Sequence, residues 1–158
     1  TGTAAEINRL TNQYIYNLAG RQYQAASSSS GGSSYPTVGG TVGGWIQQAL
    51  QALRSAGYDI SKINPNDIAT IIQNESTGNP NAINNWDRNA RAGTPTKGLM
   101  QLLDSNFQKY HVAGTSGNIY DPVANIAAGI GYALDEYGSI DNVRGIKALR
   151  NGQAYVGY

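Results

Sequence analysis

From Trp45 onward, apolar residues recur at helical spacing, and glycines close most of the runs. In "WIQQALQALRSAG", Trp45, Ile46, Ala49, Leu50 and Leu53 share one helical face, and Gly57 is the stop. "NPNDIATIIQNESTG" opens with Asn64 as an N-cap and Pro65 at the first helical position. Its buried stripe is Ile68, Ala69, Ile71 and Ile72, and Gly78 ends it. A polar loop of roughly twenty residues follows, a length that usually marks function or disorder. Apolar character resumes in "KGLMQLLDSNFQKY", where Asp104 reads as a helix N-cap. In "DPVANIAAGIGYALDEYG", Asp121 caps, Pro122 starts, and Val123, Ile126, Ala127, Ile130 and Leu134 line one face before Gly138. Asp135 and Glu136 fall at its solvated end. "NVRGIKALRNG" predicts a last short helix before the Tyr-rich ending "QAYVGY". No run alternates as a strand does, so the expected fold class is mainly α, with little or no sheet.

Upstream, Ile7, Leu10, Tyr14 and Leu18 predict one short amphipathic helix within residues 1–26. Residues 27–44 are rich in Ser and Gly and read as a flexible linker. The main domain is therefore expected over 45–158, and deleting residues 1–44 is expected to leave its activity largely intact.

Composition narrows the chemistry. Eleven Lys and Arg against ten Asp and Glu, scattered along 158 residues, give a net charge of +1 and argue against a nucleic-acid partner. There is no cysteine, which removes disulfides, thiol catalysis and Cys-based zinc sites. His111 is alone and has no acid beside it, so it reads as structural; no metal and no cofactor are expected. No apolar run approaches the roughly 20 residues of a membrane span. The first residues lack the basic and apolar regions of a signal peptide.

Glutamate occurs only at Glu6, Glu75 and Glu136. Glu75 follows Ile71 and Ile72 at i+4 and i+3, which continues the buried stripe. Desolvation and the negative helix C-terminus would both raise its pKa, as a general acid for glycosidic cleavage needs. A solvated residue at a frayed helix end fits the same spacing.

"ESTGNPNAI", then "GLMQL", then "NIAAGIGYAL" resemble the soluble lytic transglycosylase domain of glycoside hydrolase family 23, over roughly residues 60–138. The resemblance implies a lysozyme-like fold and a peptidoglycan substrate cut between N-acetylmuramic acid and N-acetylglucosamine. It makes Glu75 the catalytic acid/base, with Ser76 positioning substrate or its own loop. It places Gly98 at a close backbone approach in the cleft and Leu99 and Met100 beneath it. Gln101 would turn its amide toward the sugar. The family commonly carries an Ala-Tyr-Asn motif whose tyrosine bonds the acid. Here "QAYVGY" lacks it, leaving Tyr132, Tyr155 and Tyr158 as candidates, with Tyr132 also a candidate substrate contact. The insertion "NNWDRNARAGTPTK" and the ending "AYVGY" resemble actinobacterial and phage versions, including domains inside tape-measure proteins.

In such enzymes one glutamate protonates the leaving oxygen and then takes a proton from the muramic acid C6 hydroxyl, closing a 1,6-anhydro ring. A hydrolytic, goose-type-like muramidase would need a second acid to hold water. Asp87 is the candidate, though beside Asn84 and Asn85 it also fits a turn. Trp86 fits either a sugar-stacking platform or a plug that holds the loop. A non-catalytic wall-binding virion module is the third reading. The expected setting is the cell wall or a phage tail, as a monomeric domain of a larger protein.

Overall fold

The computed structural model describes residue 35 and residues 38–84 and 93–158. The helix expected within residues 1–26 lies outside the described residues, as do Trp86 and Asp87. The elements are α1 (Gly40–Ser55), α2 (Pro65–Ser76), α3 (Asp104–Tyr110), α4 (Pro122–Tyr137), a 3-10 turn (Ile140–Asn142) and α5 (Arg144–Arg150). Among the described residues there is no strand, only two isolated antiparallel bridges, Ile83 with Lys97 and Lys97 with Leu102.

The helices form where local signals agree. The Asn66 N–H donates to the Asn64 side chain at 3.0 Å, and Pro65 follows Asn64 as the first residue of α2. The Ala124 N–H donates to Asp121 Oδ2 at 2.9 Å, and Pro122 begins α4. Each cap supplies one of the acceptors that the first turn of a helix lacks, a contribution of about 1 kcal/mol.

α4 runs through the middle of the domain and packs on α1 and α3, while α2 packs on α1 and α5. Its residues Ala124 to Gly131 are all buried, so it has no solvent face in its first half. Ile46, Leu53, Ile68, Ile72, Met100, Ile126 and Ile130 form the centre of the core. Burying each of these side chains contributes about 1.5–3 kcal/mol before chain entropy is counted.

Two boundaries differ from the sequence reading. α1 begins at Gly40 rather than Trp45, inside the stretch read as linker. Val38 is 2% exposed and joins the core, and its carbonyl lies where a Cβ on Gly43 would sit, 1.9 Å away. Glycines that look like linker are here a helix start that needs close approach. Asp104 is the first residue of α3, not its cap; Leu103 holds the cap position. The Asp104 carboxylate is taken by Lys97 Nζ at 2.9 Å, an exposed pair that contributes little.

Candidate active site

Glu75 stands in the last turn of α2, half-buried, with the isoleucine stripe behind it. The Tyr155 hydroxyl donates to Glu75 Oε2 at 2.6 Å. Burial pushes the Glu75 carboxyl above its ordinary range, and the Tyr155 hydrogen bond partly opposes that shift. Tyr155 is itself pushed up, first by burial and then by the Glu75 charge, so its phenol keeps its proton and remains a donor. The result is an acid held by one oxygen, with Oε1 left for chemistry.

A cleft of about 510 Å³ opens over Glu75, walled by Ser76, Thr77, Asn79, Asn81 to Asn84 and Gln101. α2 stops because Thr77 takes a left-handed conformation (φ 52°), and Gly78 follows at φ 79°. The chain then turns back and pairs with the segment that leads into α3. The Asn84 N–H donates to the Thr96 carbonyl at 3.0 Å, and the Gly98 N–H to the Ala82 carbonyl at 2.8 Å. These bonds fix the polar lip to the turn at residues 98–101.

That turn explains several residues of "GLMQ" through the scaffold. Gly98 has φ 81°, and a Cβ there would lie 2.2 Å from Asn125 Nδ2. The close approach it permits is to the Asn125 side chain. Leu99 and Met100 are 0% exposed and lie beneath the cleft, out of reach of a ligand. The amide of Gln101 is turned inward: Nε2 donates to the carbonyls of Ala82 (3.1 Å) and Gly98 (2.9 Å), while Oε1 accepts from Thr96 Oγ1 (2.9 Å). Both of its donors are used within the lip, which Gln101 holds together while lining the cleft. The Ser76 hydroxyl, also facing the cleft, donates back to the Ile72 carbonyl at 3.0 Å.

The three candidate tyrosines separate cleanly. Tyr155 reaches Glu75. Tyr158 donates to the Met100 carbonyl at 2.6 Å. Tyr132 packs edge-on between Tyr110 and Tyr158, with ring centroids 5.8 and 5.6 Å away, and does not bond Glu75. The tail is held by bonds from the Gln153 N–H to the Ala148 carbonyl and from the Gly145 N–H to the Gly157 carbonyl, both 2.8 Å. A Cβ on Gly145 would lie 2.1 Å from the Tyr155 ring, so only glycine lets the ring lie flush on α5.

Asn125 enters the sequence reading only as part of the supporting motif "NIAAGIGYAL", with no role of its own. It is 0% exposed, accepts from the Met100 N–H (2.8 Å) and donates to the carbonyls of Ile119 (2.9 Å) and Lys97 (3.1 Å). A lone asparagine among the apolar residues of "PVANIAAG" was the available signal. His111 is exposed and tied to its own loop, with Nε2 3.1 Å from the Thr115 carbonyl and 3.0 Å from that of Ser116. Asp135 and Glu136 are exposed, as expected for a solvated helix end. Among the described residues no cluster of three His, Cys, Asp or Glu could hold a metal ion, and no helix is long and apolar enough to cross a membrane.

Residues 55–158 match the family described as "Transglycosylase SLT domain". The chain is also 43% identical over 135 residues to "Uncharacterized protein YqbO" of Bacillus subtilis (strain 168). That match covers 85% of the chain but 8% of the relative's length. No solved structure matches the chain.

Proposed function

The chain belongs to the transglycosylase SLT domain family, and on that premise we propose that Glu75 is the sole acid/base of a peptidoglycan lytic transglycosylase. The observation that carries this reading is the placement of Glu75. It is a half-buried carboxyl at the floor of a cleft, held through Oε2 by a phenol and with Oε1 free. Burial raises its pKa, the direction that favours the protonated acid needed at a glycosidic oxygen.

In the proposed cycle Oε1–H protonates the bridging oxygen of the MurNAc–GlcNAc β-1,4 bond as the C–O bond breaks. The carboxylate formed then removes the proton of the muramic acid C6 hydroxyl, whose oxygen attacks the anomeric carbon. The product is a 1,6-anhydro-MurNAc end, and Glu75 is again protonated. Tyr155 holds the acid in place through both steps, because its bond to Oε2 is compatible with either state of the carboxyl. Among the described residues Glu75 is the only acid that lines the cleft. Hydrolysis through Asp87 rests on a residue outside them.

The site would act at the cell wall within a longer parent, since the chain spans 8% of YqbO, and the likeness of "NNWDRNARAGTPTK" and "AYVGY" to phage versions supports a phage tail protein as that parent. Mass spectrometry of digested peptidoglycan tests the chemistry. Anhydro-muropeptides are expected, and products with only hydrated reducing ends would overturn the transglycosylase assignment. Loss of the second acid (Asp87→Asn) is expected to leave the product pattern unchanged.

A further inference from the structure

Most side chains that line the cleft are polar, and Ala82 and Ile83 are the apolar ones. Ile83 lies in its wall and is 41% exposed, in the strand-like segment that pairs with Lys97. Two positions earlier, Asn81 lines the same cleft and is exposed. Its backbone N–H donates to Asn79 Oδ1 at 3.0 Å, while its side-chain amide has no partner among the described residues. A free amide and exposed methyls thus line the same cleft as Glu75.

We propose that Asn81 and Ile83 form the acetamido reader of the cleft, a reading that rests on the glycan-cleaving role of Glu75. The C2 acetamido group of an amino sugar carries an N–H, a carbonyl and a methyl. Hydroxyls offer no methyl for an isoleucine to cover. The Asn81 amide supplies one donor and one acceptor to match the acetamido amide, and the Ile83 side chain covers the methyl. Gln101, the residue that the family resemblance implied for this task, has both N–H groups committed to Ala82 and Gly98. Turning it outward would unfasten the lip. Asn81 and Ile83 can bind without breaking any bond of the scaffold.

The lactyl side chain of muramic acid also carries a methyl, so the test separates the two sources. Binding is measured by calorimetry in the Glu75→Gln background, where nothing is cleaved, with chitotetraose, cellotetraose and a MurNAc-containing tetrasaccharide. Chitotetraose differs from cellotetraose by its acetamido groups and has no lactyl group. We expect chitotetraose to bind roughly tenfold or more tighter than cellotetraose, and nearly as well as the MurNAc glycan. Adding Ile83→Ser should shrink the preference to about twofold or less, with far-ultraviolet circular dichroism unchanged, and Asn81→Ala should shrink it as well. Retention of the full preference by both variants overturns the proposal. So does equal binding of chitotetraose and cellotetraose alongside tighter MurNAc glycan binding, which would assign the methyl contact to the lactyl group. Because these measurements involve no bond cleavage, they stand apart from the product analysis that tests the role of Glu75.

Discussion

The Tyr155 hydroxyl lies 2.6 Å from Glu75 Oε2, across 80 residues of sequence. The bond does two things at once: it fixes the direction of the carboxyl, and it partly offsets the effect of burial on its pKa. Tyr155→Phe keeps the ring and removes only the donor. The Glu75 pKa should then rise further, moving the high-pH limb of the activity profile to higher pH. The maximum rate should fall by roughly tenfold or more as the acid loses its orientation. A pH–rate profile on cell-wall substrate checks both; an unmoved limb would show that the phenol does not tune the acid.

Glu75→Gln should abolish cleavage while leaving the fold intact, and it should also reveal the cost of burying the acid. The folded-state pKa is raised above the ordinary value of 4.5, so the folded protein binds more protons than the unfolded one between the two. Stability of the parent therefore declines as pH climbs from about 4.5 through the raised folded value, a decline the amide variant does not share. Urea unfolding at several pH values should show the variant gaining on the parent as pH rises. An advantage that is constant with pH contradicts the desolvation argument.

Gly145→Ala adds one carbon at a position with no contact to the cleft. That carbon would lie 2.1 Å from the Tyr155 ring and force the tail off α5. Overpacking of this kind costs about 1–3 kcal/mol. The informative outcome is kinetic: the variant should reproduce the shifted pH profile of Tyr155→Phe, because both separate the phenol from Glu75.

Asn125→Ala leaves the Met100 N–H and the carbonyls of Ile119 and Lys97 without their partner. Stability should fall by about 2–4 kcal/mol in denaturant unfolding, since buried unsatisfied groups carry most of their desolvation penalty. A loss below about 0.5 kcal/mol would mean that water replaces the amide easily.

Truncation distinguishes the linker from the domain. Removing residues 1–34 should leave activity close to that of the full chain. Removing 1–44, the cut that the Ser/Gly composition recommends, also deletes Val38 and the first turn of α1. That variant should unfold at markedly lower denaturant concentration.

Much of the scaffold was legible because its causes are local. Asn64 with Pro65 and Asp121 with Pro122 announce helix starts within three residues, and Ile68, Ile71 and Ile72 reveal the buried face by spacing alone. Glu75 was legible for the same reason, as the next residue on that face. What remained hidden depends on contacts across the chain. The choice of Tyr155 over Tyr132 and Tyr158 follows from the fit of its ring against Gly145 on α5. The inward turn of Gln101 follows from carbonyls at Ala82 and Gly98 that sequence spacing does not place. The helix start at Gly40 was masked because glycine serves flexible linkers and tight packing alike.

The fastening of Glu75 by Tyr155 also sets an order of events during biosynthesis. The ribosome delivers Glu75 early and its phenol 80 residues later. A nascent chain that has reached Arg150 has every helix described here, yet its carboxyl still lacks the group that orients it. The orientation of Glu75 therefore waits on the C-terminal tail, and a chain ended short of Tyr155 would lack both the phenol that holds the carboxyl and the Tyr158 ring that packs on the core.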